Sequence, residues 1–134
     1  MSDGLKLAVD LAEWYESDAE YGPGTVLIFG GDREVTLATD ADNPRVAGVV
    51  STNPAHVMNS GLKAPHVVAL ALTGRVPCQV LGPVKKGDVL VSSNLPGVAQ
   101  RIGINWQPGC VIGKAMEIIE TPEVKVIEVA VGRL

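Results

Sequence analysis

Glycine and proline break this chain into short Val-rich runs, and that punctuation limits the fold more than any other feature. Gly and Pro account for 24 of its 134 residues, about 18% against a usual total near 12%. A helical bundle tolerates few such residues, because each costs about 1 to 3 kcal/mol inside a helix. Between the breaks lie segments such as Thr25–Phe29 and Asp88–Ser92, rich in Val, Leu and Ile. Short apolar β-branched runs bounded by turn residues read as strands. With 46% hydrophobic residues, the chain has enough apolar surface to offset its conformational entropy and is no disordered tail. The expectation is an all-β (mainly β) fold, a compact β-barrel or sandwich over one domain, 1–134.

Strands are expected at Thr25–Phe29, Glu34–Thr39, Arg45–Val50, His66–Leu72, Val76–Leu81, Asp88–Ser92, Ala99–Ile102, Gly109–Ile119 and Lys125–Val131. Gly30-Gly31-Asp32 is hairpin chemistry, and Thr73-Gly74 reads as a break between two strands. Leu7, Leu11 and Trp14 fall on one helical face, so a short N-terminal helix is expected over Leu5–Tyr15, although Leu5, Leu7 and Val9 also alternate as a strand would. The stretch from Ser51 to Pro65 is the longest irregular one, and long loops in compact domains often contact a partner.

A weak internal repeat runs through the sequence. Pro23-Gly24-Thr25-Val26-Leu27-Ile28 matches Lys86-Gly87-Asp88-Val89-Leu90-Val91, 63 positions later, and Arg45–Val50 matches Cys110–Ala115 at 65. The chain therefore divides into an N-terminal segment (1–20), a first half (21–65) and a second half (66–134), with two pseudo-twofold related halves as one layout.

Charge and cysteines narrow the function classes. The net charge is −4, and no cationic run exceeds Lys85-Lys86, so a phosphate-tracking groove lined with stacking aromatics is not expected. No apolar stretch approaches the roughly 20 residues of a membrane-spanning helix, and no signal-peptide pattern opens the chain. Cys78 and Cys110 lie in apolar runs; two reduced core thiols fit better than a disulfide, which stays geometrically open. His56 and His66 have no ligands at metal spacing, and the acids Asp10, Glu13, Glu16, Asp18 and Glu20 lack a calcium-loop pattern. No metal and no cofactor is expected.

Two groups of residues stand out. Asp88, Ser92 and Ser93 place a carboxylate and two hydroxyls around one strand. A serine at a strained turn can attack the preceding carbonyl while a carboxylate moves the proton, so they are the candidate catalytic residues. The competing reading is structural: Gly87-Asp88 opens a strand and Ser92–Gly97 closes it. Trp14 and Tyr15 are adjacent aromatics in a chain with few, and are expected to pin the N-terminal segment onto the barrel or a neighbouring subunit.

The runs Asp10-Leu11-Ala12-Glu13-Trp14-Tyr15, G-P-G-T-V-L-I, R-V-A-G-V-V-S-T-N-P, A-L-T-G-R-V-P-C and G-P-V-K-K-G-D-V-L-V-S-S-N-L-P-G-V-A occur together here. In combination they resemble the C-terminal region of bacteriophage tail-fibre and appendage proteins, the region that carries an autoproteolytic intramolecular chaperone. The resemblance extends from about Asp10 to Val131. It implies a homotrimeric virion component that registers three chains of an upstream fibre segment, made in the host cytoplasm and located in the tail appendage. It also implies two alternatives: a chaperone domain that cuts itself free, or a fibre tip that binds a host surface receptor through the Ser51–Pro65 loop.

Overall fold

The computed structural model describes residues 10–132. All its regular elements are strands: β1 (Asp10–Glu16), β2 (Val26–Phe29), β3 (Val35–Leu37), β4 (Val46–Val49), β5 (His56–Met58), β6 (Val67–Leu81), β7 (Val89–Ser92), β8 (Ala99–Arg101), β9 (Val111–Ala115) and β10 (Val124–Val131). The order β10-β9-β7-β8-β6 closes on itself because β10 also pairs with β6. The result is a five-stranded barrel, closed by three antiparallel ladders, the antiparallel β10–β6 ladder and one parallel contact between β6 and β8.

The remaining strands repeat that ring. β2 pairs with β3 and β4, and β1 pairs with the first part of β6. Two single bridges complete the circuit, Val50 to Leu70 and Ser17 to Val35. The repeat holds down to individual partners. Leu27 faces Gly48 and Leu90 faces Gly113, and a register shift follows each leucine. Gly24 N–H donates to Val50 O at 2.9 Å, as Gly87 N–H does to Ala115 O at 2.8 Å. Ser51 N–H donates to Ala69 O at 2.7 Å, as Met116 N–H does to Glu128 O at 3.0 Å. The two turn glycines have φ of 86° and 87°, a region that L side chains rarely adopt.

The sequence differs from the structure at three places. First, Asp10–Tyr15 form a strand, not the end of a helix; the remainder of that expectation, Leu5–Val9, lies outside the described residues. Leu11 and Trp14 fit helical spacing, but every residue from Asp10 to Glu16 has a partner on β6, and ladder pairing overrides local propensity. Second, Thr73-Gly74 does not separate two strands: β6 runs unbroken for 15 residues. Gly74 is where its partner changes, from Asp10 of β1 to Val131 of β10. One strand thus completes the first ring and begins the second. Third, the Ser51–Pro65 stretch contains β5, which pairs in parallel with β1.

Each ring has its own core. Leu27, Val35, Val50, Val68 and Leu70 fill the first, with Tyr15 and Tyr21 packed against them. Leu90, Ala99, Ile112, Ala115, Ile127 and Val129 fill the second. Val26, Ala38, Val49 and Ala71 belong to the second cluster although they come from the first ring. They form an apolar outer face of the first ring, buried against its neighbour. That shared burial joins the two rings.

Candidate functional site

Asp88, Ser92 and Ser93 do not form one site. Asp88 precedes β7, Ser92 ends it and Ser93 follows, and the strand's four residues span about 13 Å at the strand rise. Asp88 Oδ2 accepts from Lys85 N–H at 2.8 Å, closing the turn before the strand. At the other end, Ser92 Oγ donates to Asp40 O at 2.7 Å and accepts from Asn43 N–H at 3.0 Å. Ser93 Oγ donates to Val98 O at 2.6 Å and accepts from Leu95 N–H at 3.1 Å. Both hydroxyls are buried and saturated with backbone partners. The Ser92 pair fastens the Asp40–Asn43 loop of the first half onto the second.

Trp14 and Tyr15 point to opposite sides of β1, as strand neighbours must. Tyr15 packs on the first core and meets Phe29 edge-on, with ring centroids 5.5 Å apart. Its hydroxyl donates to Glu13 Oε1 at 3.1 Å, and burial raises its pKa. Trp14 is half-buried, with its carbonyl accepting from Asn59 Nδ2 at 3.1 Å.

A different pair is the most unusual polar feature of the described residues. Asp10 and Ser51 are each 6% exposed, and Asp10 Oδ2 and Ser51 Oγ both lack a well-formed hydrogen bond. The two side chains face one another. Burial raises the Asp10 pKa, and the Ser51 hydroxyl partly offsets that rise. A buried carboxyl without full hydrogen bonding is destabilising, so its presence points to a use. The site lies at the start of β1, beneath the Ser51–Pro65 loop. Ala55 N–H ties that loop to Asp10 O at 2.8 Å.

Sequence reading placed Asp10 among solvated acids and Ser51 merely at a loop start. Only the β1–β6–β4 adjacency brings them together. The repeat held the missing signal, because Asp10 corresponds to Thr73 and Ser51 to Met116 in the second half. Two of the other acids are bound up locally. Asp18 accepts from Thr36 Oγ1 at 2.6 Å and Tyr21 OH at 2.7 Å, which hold its pKa low, and Glu16 pairs with Arg33 at 3.2 Å.

Among the described residues, no group of three or more His, Cys, Asp or Glu side chains converges on a metal position. Cys78 and Cys110 are free, buried thiols, and burial pushes the Cys78 pKa up to about 12. An open cleft of about 190 Å³ lies where the halves meet, between Val46, Gly48 and Ala71 on one side and Val111, Ile112 and Val131 on the other. Its lining has no titratable side chain. Comparison with protein-family models, curated proteins and solved structures finds no match to the chain.

Proposed function

We propose that this chain is a structural assembly domain of a bacteriophage tail fibre or appendage, which associates as a homotrimer and sets the register of the chains it terminates. The class comes from the motif resemblance. The observation that carries the associating role is the outward placement of large apolar side chains. Val124 and Val126 on β10 are 42% and 62% exposed, and Ile104 and Trp106 stand out from the β8–β9 loop at 96% and 55%. Apolar side chains presented on a rigid β scaffold suit contacts between proteins. Trimerisation would also cover strand edges that otherwise invite uncontrolled pairing. Light scattering of the purified chain tests this reading: a particle of three times the 14.0 kDa chain mass supports it, and a monomer at every concentration overturns it.

Self-cleavage is the second reading, favoured by the Asp10–Ser51 pair. A serine hydroxyl facing a carboxyl of raised pKa has the parts of a nucleophile and its proton acceptor. The Ser51 oxygen would attack a peptide carbonyl of the chain entering β1, and Asp10 would take its proton. That proton would pass to the departing amine, and water would then release the ester. Expression with the natural upstream segment tests it. Ser51→Ala and Asp10→Asn should each leave the chain intact where the parent is cut; cleavage at the parental rate in Ser51→Ala would remove the reading.

A further inference from the structure

In the second ring, the β6 segment Pro77–Gln79 is covered by a turn from the first. Gly24 is buried there, and its carbonyl accepts from Gln79 N–H at 3.0 Å. A Cβ on Gly24 would lie 3.5 Å from Pro77 O. By the internal repeat, the matching strand segment in the first ring is Trp14–Glu16, and the turn matching Gly24 is Gly87. These two are not in contact. Gly87 is exposed, with nothing within 4 Å of its Cβ position.

Along Trp14–Glu16, the Glu16 carbonyl accepts from Glu34 N–H at 3.1 Å, but two further backbone groups are satisfied by the tips of exposed side chains. Asn59 Nδ2 donates to Trp14 O, and Glu34 Oε1 accepts from Glu16 N–H at 2.9 Å. Such contacts exchange at little cost, since an exposed hydrogen bond is replaced by water or by another partner. The charges of the two surfaces are complementary. Lys85 and Lys86 precede Gly87, both exposed and without an ion pair among the described residues. Glu16 lies on this segment and Glu34 is bonded to it, with Arg33 as the basic partner there, on Glu16.

We infer that the Lys85-Lys86-Gly87 turn of one molecule docks on Trp14–Glu16 of a second copy of this chain, repeating between molecules the contact that Gly24 makes within one. The inference rests on the oligomeric reading above and adds a polar contact to the apolar one. The Gly87 carbonyl takes the place of the Glu34 carboxylate on Glu16 N–H. The displaced carboxylate then faces Lys86, and the indole of Trp14 covers the glycine, where any side chain would intrude. Turn and strand segment are different surfaces, so the contact is head-to-tail. Such contacts close into a ring when the rotation allows, three copies in the trimer proposed above.

The test compares the sedimentation of four full-length chains: wild type, Lys85→Glu/Lys86→Glu, Glu16→Lys/Glu34→Lys, and the quadruple variant carrying both reversals. Each double variant should associate roughly tenfold or more weakly, because like charges now oppose each other. The quadruple variant should regain the wild-type mass, because turn and strand are complementary again. High salt should weaken wild-type association without any substitution. Circular-dichroism spectra of the four chains should agree, which shows that the variants fold even though Glu16→Lys and Glu34→Lys remove the contacts to Arg33 and to Glu16 N–H. Double variants that keep the wild-type mass, or a quadruple variant that stays dissociated, overturn this surface and leave the oligomeric reading standing. A wild-type chain that is monomeric throughout overturns both.

Discussion

Asp10 and Ser51 lie in the first ring where the second has Thr73 and Met116, and the same contrast recurs along the strands. Glu13, Tyr15 and Ser17 alternate along β1 and the residue after it; the matching positions on β6 are Val76, Cys78 and Val80, all buried at 0 to 1% exposure. Tyr21, which donates to Asp18, corresponds to Val84, buried in the second core. The backbone pairing is common to both rings, while the polar side chains were kept or gained in one. Glycines and strand registers are what the fold requires, so they are common to the two. At these matched positions the second ring is the apolar anchor, and the first carries the buried polar pair.

Removing matched leucines should test that contrast with the largest effect. Leu27 and Leu90 are both fully buried and pair with matched glycines. Leu90→Ala should cost about 4 kcal/mol and Leu27→Ala about 3. The first core is smaller and is bordered by half-buried tyrosines that can settle into the cavity. Urea midpoints would measure both, and a costlier Leu27→Ala would show that the second ring is not the anchor.

The matched glycines come next. A Cβ on Gly113 would collide with the Ala130 carbonyl oxygen, whereas on Gly48 it would lie 3.3 Å from Ala71 O. Gly113→Ala should therefore cost about 3 kcal/mol and Gly48→Ala about 1 to 2. Equal losses in chemical denaturation would mean that the rings tolerate strain alike.

These sites also show what could be read before the structure. V-x-G and P-G-T-V-L-I gave the strands, their turns and the repeat, because Gly at a bulge and Gly at positive φ leave a mark in composition. The continuity of β6 was hidden, since Thr73-Gly74 looks like a turn when the glycine in fact marks a change of partner. β5 was invisible because His56–Met58 is too short to show alternation. Asp10–Ser51 was hidden for another reason. It depends on two strands meeting a third, and no local pattern encodes that. Ser92 and Ser93 were legible as turn residues, and their hydroxyls hold turns.

The two turn glycines should separate by a smaller margin. Both have positive φ, which costs an alanine about 1 kcal/mol. Gly24→Ala must also fit against the Pro77–Gln79 backbone, so its loss should approach 2 kcal/mol. Gly87→Ala should stay near 1, and thermal melts would resolve the difference. Equality would mean that Gly24 gains nothing from its contact with the second ring.

Asp10→Asn should give the smallest change, and its dependence on pH matters more than its size. Burial raises the Asp10 pKa above its ordinary 3.8, so the folded chain holds this proton more tightly than the unfolded one. Well below pH 3.8 both states are protonated, and the group contributes no penalty. As pH rises through the unfolded and then the folded value, the unfolded chain ionises first and stability falls. At neutral pH the substitution should therefore raise the urea midpoint, because it removes a buried charge. The gain should shrink toward zero in acid. Thr73, at the matching place in the second ring, has no charge to titrate, so Thr73→Val should shift stability by the same amount at every pH. A gain from Asp10→Asn that persists unchanged below pH 3.8 would mean that packing, rather than the ionised carboxyl, sets the first ring apart at this position.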